Sequence, residues 1–153
     1  MSNTNLITLE GKWDFQYTYF AGESASRFFA ELGTNRRILG TKCDCCNRVL
    51  VPARAFCDAC MEKTGEWFEV GPQGTVETFT IITTAFPGLP KPPIVMAYVT
   101  LDGADTAIIN LLHGMDLSNI DEAAARLNKQ PRVVVEFIDN PQGRITDFSF
   151  KLM

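Results

Sequence analysis

The sequence predicts a mainly β protein with short helices, of the α+β class, in which a helical front leads through a four-cysteine ribbon into a small β-barrel. Three observations carry this expectation. All five cysteines fall between positions 43 and 60. Apolar residues ahead of them recur at helical spacing. After Thr75 the chain breaks into short runs rich in Val, Ile, Thr and Phe, separated by turn residues and lacking a parallel crossover pattern, the way a small barrel reads.

The front comes first. Lys12 to Phe20 holds Trp13, Phe15, Tyr17, Tyr19 and Phe20, which reads as an extended segment laid on the domain surface and burying alternate rings. Glu23 or Ser24 offers a helix N-cap, and Ala25, Phe28, Phe29 and Leu32 form an apolar stripe with Gly33 as its stop. The Phe28–Phe29 pair calls for a partner surface. A second short element, Asn35 to Leu39, leads into the cysteines.

The later strands are Thr75 to Ala85, Ile94 to Leu101, Thr106 to Leu112, Arg132 to Ile138 and Ile145 to Phe150. The proline-rich stretch Pro87 to Pro93 separates the first two as a stiff loop. Asp102-Gly103 signals a hairpin, and Asn140 to Gly143 a turn. Ser118 or Asn119 caps a short helix through Leu127, favoured by Ala123, Ala124 and Ala125. The chain thus divides into an aromatic and helical segment (1–40), a ribbon (41–70) and a barrel (71–153).

Cys43-x-x-Cys46 and Cys57-x-x-Cys60 are the strongest local signal. Each pair wraps a tight turn around a cation, and two pairs supply four thiolates in tetrahedral array. Asn47 follows the second ligand, where the backbone needs a left-handed residue that Asn tolerates. That selects Cys46 over Cys45 as the ligand. Structural Zn²⁺ is the expected ion, with an iron centre on the same ligands and a disulfide or redox pair as alternatives. Four thiolates leave no open position for water, so such a zinc does no chemistry itself. Cys45 is spare, and reactivity there requires a lowered pKa that sequence does not show.

Composition bounds the rest. The 153 residues suit one ordinary domain or two small ones, with 46% hydrophobic and 21% charged residues. A net charge of −4 disfavours general nucleic-acid binding. From Thr75 onward nine acids face six bases, again unlike a barrel that tracks a nucleic-acid strand. No run approaches the ~20 apolar residues of a membrane span. Met1 to Glu10 is polar and lacks the basic start and apolar core of a secretion signal, so a cytoplasmic location with reduced thiols is expected.

No catalytic set emerges. His113 is the lone histidine, and packing or hydrogen bonding explains it more simply than a general base does. Nucleophile elbows, phosphate loops and dinucleotide fingerprints are missing. Arg36, Arg37, Lys42, Arg48 and Arg54 face a single acid, Asp44, between positions 36 and 54. They read either as a solvated face offsetting thiolate charge or as a phosphate-binding patch for a ligand such as coenzyme A.

The helix bearing Phe28–Phe29, Gly40-Thr41-Lys42-Cys43-x-x-Cys46 and Val51-Pro52-Ala53-Arg54-x-x-Cys57-x-x-Cys60 together resemble the zinc-ribbon/OB-fold proteins of the DUF35 family. Gly74-Thr75-Val76-x-x-Phe79-Thr80 and Val99-Thr100-Leu101-Asp102-Gly103 extend the match from about Trp13 to Phe150. Asn47 in place of the usual Gly, Ala53 in place of a frequent Pro, and the extra Cys45 depart from the pattern. The resemblance implies a rubredoxin-like zinc ribbon and an OB-fold barrel. It also implies a non-catalytic subunit that accompanies a thiolase, or sometimes a hydratase, and helps hold the acyl-CoA. Trp13, Phe28 and Phe29 would then dock on the partner, and the basic stretch would meet coenzyme A phosphates. A single-stranded nucleic-acid module is the alternative from another class, and a free-standing enzyme using Cys45 or His113 a third.

Overall fold

The structure is a computed structural model that describes residues 8–153. The first seven residues, on which part of the N-terminal reading rests, lie outside the described residues.

Helix α1 (Glu23–Asn35) starts after Gly22, whose φ of 79° suits a glycine, and no side chain caps it. Phe28 and Leu32, one turn apart, are its buried residues. The expected stop at Gly33 is instead inside the helix, which ends at Arg36 in the left-handed conformation (φ 51°). Gly33 serves a close approach: a Cβ there would lie 2.7 Å from the Gly143 amide nitrogen. The glycine lets the helix rest directly on the turn before the last strand.

Strands β1 (Ile38–Cys43), β2 (Val49–Leu50) and β3 (Thr64–Val70) form one antiparallel sheet in the order β2-β1-β3. The sequence reading leaves β3 out. Its residues, TGEWFEV, have little strand character beyond Trp67, Phe68 and Val70. Pairing with β1 makes it a strand, in a register running from Ile38 opposite Val70 to Cys43 opposite Thr64.

The second sheet is a closed barrel in the order β4-β5-β6-β8-β7. Its strands are β4 (Gln73–Ile82), β5 (Ile94–Leu101), β6 (Ala107–His113), β7 (Arg132–Phe137) and β8 (Phe148–Leu152). All neighbours are antiparallel except β6 and β8. Helix α2 (Ile120–Leu127) sits between β6 and β7, capped by the Asn119 side chain accepting from the Glu122 amide. Five strands with one helix before the fourth is the predicted order. Alternate residues Val95, Ala97, Val99 and Leu101 of β5 point inward, as do Phe148, Phe150 and Leu152 of β8. Phe28 and Leu32 join the same core, which therefore spans helix and barrel.

The predicted strand from Ile145 to Phe150 is divided. Ile145–Asp147 is a 3-10 turn, and the strand begins at Phe148. The cause is Asp147, whose buried carboxylate accepts the Gln142 and Arg144 amides, each at 2.7 Å.

The ribbon is tied by hydrogen bonds to the connection between β5 and β6. The Val49 amide donates to the Asp105 carboxylate at 2.8 Å, and the Asp105 amide donates back to the Val49 carbonyl at 2.8 Å. The Val51 amide donates to the Thr106 hydroxyl at 2.7 Å. On the other side, the Arg27 guanidinium of α1 lies 4.3 Å from the centre of the Trp67 ring.

Candidate metal centre

The two knuckles are near copies of each other. The Asn47 amide donates to the Cys43 carbonyl at 2.9 Å, and the Met61 amide to the Cys57 carbonyl at 3.0 Å. Asn47 and Met61 have φ of 60° and 58°. The Cys43 amide then donates to the Arg48 carbonyl and the Cys57 amide to the Glu62 carbonyl, both at 2.9 Å. Each loop turns the second cysteine back toward the first. Asn47 fulfils the sequence expectation; Met61 in the same role carried no signal, because Met has no preference for that conformation.

The four sulfurs of Cys43, Cys46, Cys57 and Cys60 lie within 4.8 Å of one another. Cys46 Sγ and Cys57 Sγ are 3.7 Å apart. A tetrahedron with metal–sulfur bonds of about 2.3 Å has edges of roughly 3.8 Å, so that pair is already at coordination distance. Cys43 and Cys57 are fully buried and Cys60 partly so, while Cys46 is exposed. The ligand set matches the predicted one, and it fits a tetrahedral thiophilic ion.

Electrostatics lead the same way. The Cys60 and Ala59 amides, pointing at Cys57 sulfur, lower its pKa to about 7. Cys60 is pushed upward by the sulfurs of Cys46 and Cys45 beside it. Four crowded thiols cannot all ionise without a cation among them, and a divalent ion supplies that charge. Beside the knuckles, Arg48 is kept firmly protonated, first by Asp58 and then by Cys57 and Cys46.

The structure splits the basic stretch. Arg48 and Arg54 converge on Asp58, at 3.0 and 3.6 Å. Arg37 pairs with Glu31 at 2.7 Å and reaches Glu69 at 3.6 Å. Arg36 donates to the Asp139 carbonyl, and Lys42 Nζ stands 5.4 Å from the centre of the Phe68 ring. Arg36 and Arg37 border a groove of about 240 Å³ with Val70, Pro72, Val135 and Phe137, which the other three do not line.

The aromatic front also divides. Phe28 is 1% exposed and its ring stacks edge-on against Phe29 within the chain's own core. As a docking residue it is corrected: it is part of the packing that fixes α1. Trp13, in contrast, is 89% exposed. The neighbouring rings Phe15, Tyr17, Tyr19 and Phe20 are exposed as well, so the expected burial of alternate rings on the chain's own surface does not occur.

Among the described residues no catalytic set assembles. His113 Nε2 lies 2.9 Å from Glu136, which also accepts from Lys151 at 2.7 Å, all three on the outer barrel face and partly exposed. Cys45 is exposed beside the metal ligands. No helix among the described residues is long and apolar enough to cross a membrane.

Residues 67–127, from β3 through α2, match the family model "ChsH2, C-terminal OB-fold domain". Solved structures resemble this chain over most of its length. One is titled "Ltp2-ChsH2(DUF35) aldolase", with 19% identity, a TM-score of 0.62, and coverage of 88% of this chain and 98% of that one. Another is a protein of unknown function from the DUF35 family of Sulfolobus solfataricus, with 20% identity, a TM-score of 0.60, and coverage of 86% and 87%. No curated protein matches the sequence. Residues 67–127 thus match the OB-fold domain of ChsH2, and the fold is like that of the DUF35 structures, in line with the sequence resemblance.

Proposed function

We propose that this chain is a zinc-containing, non-catalytic subunit of an acyl-CoA-processing complex, and that its partner is a thiolase that forms or cleaves a 3-oxoacyl-CoA. The observation that carries the reading is the fold likeness, over nearly the whole length of both chains, to a structure titled as an Ltp2–ChsH2 aldolase. The lack of an assembled catalytic set among the described residues supports it, since the partner would supply the nucleophile and base. Zinc occupies the four cysteines and holds the ribbon in shape, while the barrel helps enclose the acyl-CoA. Among thiolases of this two-component kind, the one that cleaves benzoylsuccinyl-CoA is the specific candidate that the sequence resemblance offers.

The test is reconstitution. Thiolysis of a 3-oxoacyl-CoA by the partner should need this chain, and this chain alone should show none. Full activity of the partner without it overturns the reading. A hydratase as partner is separated by assaying hydration of the enoyl-CoA instead. The exposed rings at Trp13 to Phe20 favour one further reading, base stacking in a single-stranded nucleic-acid module. Salt-dependent binding of a fluorescent single strand near physiological ionic strength would establish that alternative.

A further inference from the structure

The segment before α1 is built like a strand without a sheet. Between Thr8 and Gly22 it has no regular structure. Yet Trp13, Phe15, Tyr17 and Tyr19 stack in a ladder, with successive ring centres 5.9, 5.9 and 6.0 Å apart. Rings at every second residue share one face of an extended chain, and Asp14, Gln16 and Thr18 take the other. This is the two-faced pattern of a half-buried strand, but its apolar face is 64–89% exposed.

We propose that the Trp13–Tyr19 arm is the element by which this chain grips the catalytic subunit, lying extended with its ring face in an apolar groove or sheet edge of that protein. The inference rests on the partner-subunit reading above and replaces Phe28 with the arm as the docking device.

Charge selects the class of partner. Between Thr8 and Gly22 the acids are Glu10 and Asp14, and the cation, Lys12, is already paired to Asp14 at 2.6 Å. Nothing there attracts a phosphate backbone or an anionic lipid surface. Area selects a specific interface. A buried aromatic contributes 150–250 Å², so four rings cover roughly 600–1,000 Å², against ~800 Å² per partner in a stable protein complex. A second copy of the chain is a poorer host. Its barrel sheet is closed, and strand β3 at the margin of the ribbon sheet exposes Glu66 and Glu69.

The test uses the full-length tagged chain purified from its source cells with whatever acyl-CoA enzyme accompanies it, identified by mass spectrometry and then produced for titration. The variant Trp13→Ser/Phe15→Ser/Tyr17→Ser/Tyr19→Ser should bind that subunit at least about a hundredfold more weakly, given that single aromatic anchors often account for tenfold or more. Its zinc content and circular dichroism should be unchanged, since the rings lie outside the core. In the wild-type complex, amides 12–20 should exchange more slowly than in the free chain. Tyr17→Phe/Tyr19→Phe, which keeps the rings, should bind like wild type. Wild-type affinity in the Ser variant overturns the arm while leaving the subunit reading intact. Recovery of no acyl-CoA enzyme overturns that reading and this one with it. An arm-dependent dimer of the chain alone, seen by sedimentation, reassigns the arm to a second copy and overturns the proposal.

Discussion

Asn47 and Met61 occupy equivalent places in the two knuckles, each with positive φ and an amide bonded to the first cysteine's carbonyl. A β-branched residue there meets the full left-handed penalty. Asn47→Val should therefore destabilise the zinc-loaded protein by about 1–2 kcal/mol in urea unfolding, and Asn47→Gly should be neutral or slightly stabilising. Glu31 is the other residue with a clear consequence. Hydrogen bonds from Arg37 and Asn35 lower its pKa from 4.5 to about 2. A carboxylate depressed on folding contributes stability above its unfolded pKa, and that contribution is lost as pH falls toward the folded value. Stability should drop between pH 4.5 and about 2 in the wild type, and Glu31→Gln should flatten that part of the profile measured by thermal unfolding.

At the scale of elements, α1 is held from two sides. Phe28 and Leu32 anchor it in the barrel core, and Gly33 brings its backbone against Gly143. Gly143 itself has φ 75°, and a Cβ on it would lie 2.8 Å from the Phe29 carbonyl oxygen. Neither glycine has room to give, because the obstacle in both cases is backbone. Gly33→Ala should cost about 1–3 kcal/mol by overpacking, even though alanine is the better helix former. Denaturant unfolding checks this, and a stabilised Gly33→Ala would mean that the contact is loose.

At the scale of the molecule, the buried residues fall into two clusters. The larger spans α1, the barrel and the ribbon residues Ile38, Val51, Ala53 and Val70; the smaller holds Leu50 with Cys43 and Cys57, against which Cys60 packs. A cluster of that size does not hold the two cysteine knuckles without a bound ion. Chelation should therefore raise amide exchange across residues 43–62 while β5 and β8 stay protected. Cooperative loss of the barrel on chelation would show that the ties from Val49 and Val51 to Asp105 and Thr106 couple the two parts more tightly than the clusters imply.

What the sequence determined by itself is local in origin. Ligand spacing within each knuckle fixes the four cysteines, runs dense in Val, Ile, Thr and Phe between turn residues give the barrel strands, and the Ser118–Asn119 cap with its alanine run gives α2. Each of these is set by residues within one or two turns of chain. The tertiary structure decided the rest, because each outcome depends on partners distant in sequence. Strand β3 exists through β1, and Asp147 converts a strand start into a turn by accepting amides in a buried loop. Acids at positions 31 and 58 divide the basic stretch in two. Phe28 and Trp13 look alike as aromatic residues near the N-terminus, yet one is core and the other solvent-facing. Hydrophobicity states that a ring seeks cover, but only the packed fold shows whether the chain itself provides it.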